Sequence, residues 1–414
     1  MAKRFSRRRL LGTLAGLPLA TRGPGRALAA NRSQARVRPG DPAWPSEAKW
    51  DQLSHEVQGR LIKVQSPLAA CVGAPSDAAC AQVFEELKNP YYLGDEVGLT
   101  QSLGWVGAWT SEPSVYSVAA KTTRDIVAAV NFARENNLRL VIKGGGHSYQ
   151  GTSNAAGSLL IWTRHMNAVT PHDAFVAAGC EGQGEPQAAV SIEAGAYWRQ
   201  AYDAVTTKGG RYVQGGGCMT VGVVGLVLGG GFGSWSKAYG QASASLLEAE
   251  VVTADGDVKI ANGCTNPDLF WALKGGGGGF GVVTRVTLRT HPLPEFFGFV
   301  AAGIKASSDE AYRRLIAKMI AFYRDSLFNP HWGEQIVFAP GRAISIFMVF
   351  QGLGQQQAEA VWKRFFDWVA AAPRDFTVTS APRVLAAPAR GFWNPAFLKQ
   401  VPGVIVSDNR PGAP

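Results

Sequence analysis

The sequence has few metal-binding side chains, with five cysteines and six histidines in 414 residues. The cysteines are Cys71, Cys80, Cys180, Cys218 and Cys264, and no two of them form a CxxC pair. The histidines are scattered rather than grouped. Because structural zinc sites need closely spaced cysteine and histidine ligands, the sequence predicts no metal site.

The N-terminal segment has no acidic residue, and its apolar run is too short for a membrane span, which needs about 20 residues. Residues 1–30 hold seven lysines and arginines, followed by that apolar run and the small-residue site Ala27-Leu28-Ala29. This order is typical of a cleaved export signal. The stretch SRRRLLG at positions 6–12 resembles a twin-arginine signal, which exports folded proteins. We expect cleavage near 29–30, a periplasmic or secreted protein, and no membrane association beyond export.

The mature chain also lacks a strong excess of positive charge. The formal charge is +10, and removing the seven basic residues of the signal leaves about +3. No basic patch therefore indicates a nucleic-acid partner. The apolar fraction of 46% is that of an ordinary globular protein.

The glycines have no regular period, which excludes a collagen-like chain. They also do not form a dinucleotide fingerprint, because Tyr149 stands where the third glycine of G-x-G-x-x-G should be. The run Gly275–Gly281 lies between a predicted helix and a predicted strand, which is the wrong order for that motif. A nicotinamide-type Rossmann domain is therefore rejected.

Two glycine runs instead carry reactive side chains. His147 follows Gly144-Gly145-Gly146, and Cys218 follows Gly215-Gly216-Gly217. Taken alone, the histidine could be an ordinary turn residue and the cysteine a small buried side chain. Glycine loops can present backbone N–H groups to an anion such as a pyrophosphate. Together, the two side chains suggest two tethers on one dinucleotide.

The odd number of cysteines supports a special task for Cys218. In an exported protein, an odd cysteine points to a free thiol. The other four could form two disulfides, with Cys71–Cys80 the stronger pairing and Cys180–Cys264 the remaining one.

Hydrophobic periodicity predicts an α+β chain. Residues 114–148 read as strand, helix and strand, with Thr122 or Thr123 as the helix cap. Residues 246–261 read as a hairpin, and 281–292 as another strand. After a boundary near 292–294, strands and helices alternate as in an antiparallel sheet with helices on one face, and residues 384–414 read as loop. Residues 31–50 read as a loose leader.

Four segments together resemble the FAD-linked oxidases of the vanillyl-alcohol oxidase superfamily, most closely the berberine-bridge-enzyme-like branch. They are PSVYSVAAKTTRDIVAAVNFARENN, KGGGHSYQG, GGGCMTVGVVGLVLGGGFG with the later KAYG, and NPDLFWALKGGGGGFGVVTRVTLR, covering roughly 110–291. The resemblance implies a two-subdomain PCMH-type FAD-binding domain at 110–292, after an N-terminal segment at 31–109. It implies a substrate domain at 293–414. Relatives close with a C-terminal segment that returns to the flavin domain, and we expect the chain to lack it.

The resemblance also implies how FAD is held. In that branch the flavin is attached twice, and the matching residues are His147, to the 8α-methyl group, and Cys218, to C6. Val221 would lie over the reactive face, where valine goes with access for O2. Further cofactor contacts are implied for Lys143, Gly144, Gly145, Gly146, Ser148, Tyr149, Gly217, Thr220, Gly222, Gly229, Gly230 and Val283.

The implied reaction is hydride transfer from a CH–OH or similar carbon to flavin N5, with electrons passed to O2 to give H2O2. Glu334 is the one candidate for the catalytic base. The alternative interpretation is that Glu334 is an exposed carboxylate at the end of a strand. Trp332, Trp362, Phe365, Phe366 and Trp368 could line a substrate pocket, but their spacing favours core positions. Alternatives are a flavin dehydrogenase with another acceptor, a non-catalytic or remnant flavin-binding module, and a singly tethered carbohydrate- or cytokinin-type oxidase.

Overall fold

The computed structural model describes residues 36–73, 75–102, 109, 111–400, 408 and 410. The segment interpreted as an export signal lies outside these residues. From Val37 onward, the described chain forms one compact unit that contains three sheets. Within the described residues, no helix combines the length and the apolar character that a membrane span requires.

The first sheet has four strands in the order β1-β2-β4-β3, where β1 is antiparallel to β2 and the other pairs are parallel. The elements in this part of the chain are α1 (Glu47–Glu56), β1 (Leu61–Lys63), α2 (Ala78–Glu86), α3 (Pro90–Asp95), β2 (Tyr116–Ala119), α4 (Thr123–Glu135), β3 (Arg139–Lys143) and β4 (Ser158–Trp162). The prediction of strand, helix and strand before the first glycine loop is confirmed.

Helix α4 begins where the sequence predicted. The Thr122 side chain accepts a hydrogen bond from the Asp125 N–H, and the Asp125 carboxylate accepts one from the Thr122 N–H, which forms a capping box. The apolar face predicted from the sequence is buried, and it comprises Ile126, Ala129, Val130 and Ala133. This face holds α4 against the first sheet, so β3 delivers the first glycine loop from a fixed position.

The second sheet has strand order β5-β6-β10-β8-β9, with β7 paired to the end of β10. Its elements are β5 (Val169–Phe175), β6 (Gln187–Glu193), α5 (Trp198–Tyr202, continued by a π-helical turn at Asp203–Lys208), β7 (Arg211–Val213), α6 (Val223–Leu228), α7 (Ser236–Tyr239), β8 (Leu246–Val252), β9 (Val258–Asn262), α8 (Pro267–Leu273) and β10 (Val282–Pro292). The predicted hairpin is β8–β9, and the second glycine loop connects β7 to α6.

The third sheet is antiparallel, in the order β12-β13-β11-β14. Its elements are β11 (Phe296–Ala306), α9 (Asp309–Phe322, continued by a π-helical turn at Tyr323–Leu327), β12 (Ile336–Ala339), β13 (Ala343–Gln351), α10 (Gln355–Ala370) and β14 (Phe376–Pro388). Both helices pack on one face of this sheet, as the sequence predicted. Trp332, Trp362 and Phe365 are fully buried in that layer, so their spacing indicated core rather than pocket.

Two segments are more ordered than the sequence indicated. Residues 384–388 are not loop, because β14 runs to Pro388 and pairs with β11. A short 3-10 turn (Ala389–Gly391) and α11 (Pro395–Leu398) follow. Near the N terminus, Trp50 is buried in α1, and its ring centroid lies 4.1 Å from that of Tyr116, on which it stacks. The prediction of a loose leader is therefore wrong for the end of residues 31–50.

All five cysteines lie in the described part of the chain. The two disulfides are Cys71–Cys80 and Cys180–Cys264, as the sequence suggested. Cys218 is in neither disulfide, and it is exposed.

Candidate functional site

The first glycine loop begins where β3 ends, and its glycines allow close approach to the second loop. A Cβ atom on Gly145 would lie 2.7 Å from the Thr220 carbonyl oxygen and 2.8 Å from the Gly222 nitrogen. Gly146 has φ +77°, a conformation that glycine adopts without strain. The two loops therefore touch through their backbones, which a larger side chain at position 145 would prevent.

The second glycine loop enters the site beside a buried tryptophan. A Cβ atom on Gly215 would overlap the Trp198 ring, so only glycine fits there. The loop is then held by β-type backbone contacts, in which the Trp198 N–H donates to the Val221 carbonyl and the Arg199 N–H donates to the Met219 carbonyl. These bonds fix the backbone on the C-terminal side of Cys218 and leave its thiol exposed.

Thr220 brings the two candidate tethers together. Its buried hydroxyl lies 3.0 Å from His147 Nε2 and 3.7 Å from Cys218 Sγ. A histidine and a cysteine that are 71 residues apart in the sequence thus share one hydrogen-bonding partner. The predicted convergence of the two side chains is present in the geometry.

His147 is held in its neutral form. Burial lowers the pKa of its imidazole to about 4, and a hydrogen bond with the Thr220 backbone opposes this only in part. A neutral imidazole keeps one unprotonated ring nitrogen with a free lone pair. With Nε2 bonded to Thr220, the other ring nitrogen, Nδ1, is the one left for a further bond.

The Lys143 side chain points away from this pair. It is fully buried, and its Nζ donates to the carbonyl oxygens of Glu96 and Leu99 at 2.5 and 2.6 Å. Burial lowers the pKa of this amine to about 7. Any contact of Lys143 with a cofactor therefore belongs to its backbone, while its side chain fixes the preceding segment beneath the loop.

The other predicted cofactor residues are spread around the loops. Ser148 Oγ lies 2.8 Å from Thr152 Oγ1, and the Tyr149 carbonyl accepts from Trp109 Nε1. Val221 is half-buried against the main core, and Val283 is buried in β10. Gly217 and Gly229 are exposed, and Gly230 has φ +95°. Their roles toward a cofactor stay predictions.

Sequence reasoning missed a pair of aromatic and cationic side chains near the second glycine loop, whose Met219 carbonyl accepts from the Arg199 N–H. The Arg199 guanidinium lies 5.8 Å from the Tyr91 ring centroid, and its Nε is buried without a partner among the described residues. Burial raises the pKa of Tyr91, the Arg199 charge opposes that rise, and electrostatic interactions with Asp408 and Cys218 add to it. Tyr91 precedes Cys218 by more than a hundred residues, so no local pattern connects the two.

The described C-terminal residues, Asp408 and Arg410, contact Asn89 and Asp95 near the start and at the end of α3. Arg410 donates to Asp95 and Asp408, each at 2.7 Å, and Asn89 Nδ2 donates to Asp408 at 2.8 Å. Asp95 also accepts from Arg164, whose guanidinium lies 3.8 Å from the Tyr197 ring centroid. Asp408 and Arg410 thus contact residues in and beside α3, while the expected lack of a C-terminal closing segment stays a prediction.

Glu334 is not the exposed carboxylate that the sequence favoured. It is half-buried beside a cavity between α9 and β12, and burial raises its pKa. None of the described residues that line this cavity belongs to either glycine loop. The role of Glu334 as a base stays a prediction.

Both glycine loops lie in a part of the chain that is similar to known proteins. Residues 115–262 match a family described as an FAD binding domain. A VAO-type flavoprotein oxidase, VAO615 from Thermothelomyces thermophilus, is 32% identical over 373 residues, covering 84% of this chain and 62% of that protein. The solved structure of the VAO-type flavoprotein MtVAO615 from Myceliophthora thermophila has a TM-score of 0.72 at 31% identity, covering 84% and 66%.

A more distant structure shares the fold. Glucooligosaccharide oxidase from Acremonium strictum, which carries a 6-S-cysteinyl, 8α-N1-histidyl FAD, matches with a TM-score of 0.55 at 22% identity. The match covers 72% of this chain and 58% of that one. The chain spans about half the length of the curated relatives it matches, at 52% and 54% for two of them.

Proposed function

The chain belongs to the vanillyl-alcohol oxidase superfamily, and from this premise we propose that it is an FAD-linked oxidase of the berberine-bridge-enzyme-like branch whose flavin is attached through both His147 and Cys218. The single observation that carries the proposal is the contact of both side chains with the Thr220 hydroxyl. Two groups that meet at one atom can both reach one ligand.

The residues present fit the flavin. His147 supplies a neutral nitrogen nucleophile, because burial keeps its pKa near 4. Cys218 supplies an exposed thiol, so it is accessible to a ring lying against the loops. The exposed backbone at Gly217 leaves room for close approach, since a Cβ atom there would meet nothing within 4 Å. These three features match the needs of a doubly attached cofactor.

When bound, FAD supplies hydride acceptance from a substrate CH–OH carbon and electron transfer to O2 with formation of H2O2. The chain's own residues bind and orient it. The glycine loops leave their backbones free to approach the pyrophosphate, and Val221 lies on the N-terminal side of α6, where a small side chain leaves access for O2. We propose a small-molecule alcohol as the substrate class.

The activity is tested by mixing the holoprotein with a panel of alcohols and sugars under nitrogen and then admitting air. We expect at least one compound to bleach the visible flavin absorption, and air to restore it with release of peroxide. A Val221→Ile variant should keep the bleaching and slow the recovery. A compound that bleaches without recovery in air would indicate a dehydrogenase instead. If no compound bleaches the flavin absorption, the alternative that remains is a flavin-binding module without turnover.

Export is part of the same proposal. Two disulfides favour an oxidising compartment, in which they form and persist. A covalent bond would retain the flavin where it cannot be reloaded. Fractionation of cells that express the full chain tests this, with export expected for the unaltered N terminus. An Arg7→Lys/Arg8→Lys variant should accumulate in the cytoplasm if the twin-arginine reading is right.

A further inference from the structure

A cavity of about 280 Å³ opens between α9 and the edge strand β12. Its walls are mainly apolar, and they are formed by Met319, Ile320, Tyr323, Gly333, Glu334, Gln335, Ile336, Phe338 and Met348. Ile320 and Phe338 at its rim are about half exposed, at 58% and 46%. A cavity of this size admits a small molecule and is below the usual range for larger ligands, which begins at about 300 Å³.

Glu334 is the one charged residue among the described residues that line the cavity. Glu334 Oε2 is buried, and it has no hydrogen-bond partner among the described residues. Of the side chains that the structure describes, it is the one carboxylate in that condition. Buried polar atoms are almost always paired, so an unpaired carboxylate oxygen in a cavity indicates a place for a donor from outside the chain.

Lys237, whose charge acts on Glu334, forms its hydrogen bonds with other groups. The Lys237 ammonium donates instead to the Tyr323 hydroxyl and to the Leu327 carbonyl, each at 3.1 Å. It lowers the pKa of Glu334 by its charge, but burial raises that pKa by more. A ligand cation would meet repulsion from Lys237, whereas a neutral hydroxyl would not.

The remaining walls favour an aromatic ring. Met319 and Met348 offer thioether contacts, which are favourable against aromatic edges, and Tyr323 and Phe338 offer ring contacts. We propose that this cavity is a binding site for a small aromatic molecule carrying one neutral hydroxyl group, which donates its hydrogen bond to Glu334. The site is separate from the glycine loops, and it does not rest on the proposed oxidase function.

The methionines allow binding to be located. The chain has five, of which Met319 and Met348 line the cavity, Met219 follows Cys218, and Met166 is buried in another core. The holoprotein labelled with [methyl-¹³C]methionine is titrated with 2-naphthol and with 2-methoxynaphthalene, which has the same rings but no donor. We expect 2-naphthol to shift the Met319 and Met348 signals and leave those of Met219 and Met166 in place. The methoxy compound should bind about tenfold more weakly.

Variants test the role of the carboxylate. In Glu334→Leu the preference for 2-naphthol should disappear, while Glu359→Leu, at an exposed position on α10, should keep it. If the leucine variant fails to fold, Glu334→Gln serves instead and should reduce the preference several-fold. The proposal is overturned if neither probe binds, if both bind equally, if the preference survives in the Glu334 variants, or if Met219 responds in place of Met319 and Met348.

Discussion

At the scale of single residues, Thr220 explains how the two glycine loops form one site. The sequence indicated His147 and Cys218 by their glycine runs, and the resemblance gave both a role. It could not show that a threonine 73 residues after the histidine lies 3.0 Å from its Nε2, because that contact depends on how two sheets pack. Thr220 thereby sets which imidazole nitrogen is available.

This role predicts a defect in a variant that keeps the shape of Thr220. Thr220→Val removes the hydroxyl at nearly constant volume, so His147 loses its orienting hydrogen bond. We expect the apoprotein to acquire acid-stable flavin about fivefold more slowly when FAD is added, the effect of about 1 kcal/mol. Thr220→Ser keeps the hydroxyl and should behave as the unaltered chain does. Equal rates for the valine variant and the unaltered chain would rule out the positioning role.

Lys143 predicts an unusual dependence of stability on pH. Its pKa is about 7 in the folded chain and 10.5 as the ordinary value, so the unfolded chain holds the proton more tightly. The folded chain should therefore gain stability as pH rises from 7 toward 10.5, by at most about 1.4 kcal/mol per pH unit. A neutral amine still has two N–H donors for the Glu96 and Leu99 carbonyls.

The measurement for Lys143 is urea unfolding at pH 7 and pH 9.5, compared with Lys143→Met. The difference in free energy of unfolding between the two chains should shift in favour of lysine at the higher pH. An unchanged difference would mean that the buried amine has an ordinary pKa in the folded state.

At the scale of elements, sequence patterns succeeded where local rules govern the structure. The α4 cap, which is the first of the two threonines that the sequence offered, and the buried face of that helix followed from residue types and spacing. The β8–β9 turn followed from its glycine. Each of these features is settled by residues within a few positions of one another.

The same rules failed where a distant partner decides the structure. Residues 384–388 follow Pro382 and end at Pro388, and such spacing indicates loop. They nevertheless form strand because β14 is an edge strand, where a missing N–H is tolerated, and because β11 offers a full-length partner. The contact between Arg199 and Tyr91 also has no local signal.

The segment after β14 packs against the core of the second sheet through aromatic contacts. Trp393 is buried, and its ring stacks on Tyr202 with centroids 4.0 Å apart. Trp393→Ala should lower the free energy of unfolding by about 3 kcal/mol or more. Trp271→Ala is the matched control, since that ring is 80% exposed, and it should have little effect. Similar small losses in both variants would mean that the segment is not held by this ring.

At the scale of the whole molecule, the two disulfides close loops of very different length. Cys71–Cys80 spans 9 residues, whereas Cys180–Cys264 spans 84. Because a longer closed loop removes more entropy from the unfolded chain, removing Cys180–Cys264 should cost about 2 kcal/mol more than removing Cys71–Cys80. Paired cysteine-to-serine variants compared by urea unfolding test this. A larger loss from the short loop would show that unfolded-chain entropy is not the governing term.

The central claim for the whole molecule is that two loops, 71 residues apart, hold one flavin by two bonds. The most direct measurement is retention of the yellow chromophore by the polypeptide after denaturation in acid, for the unaltered chain, His147→Ala, Cys218→Ala and the double variant. We predict retention in the first three and loss in the double variant alone. Release of the flavin from the unaltered chain would contradict covalent attachment. Release from either single variant would show that one covalent bond, rather than two, holds the flavin.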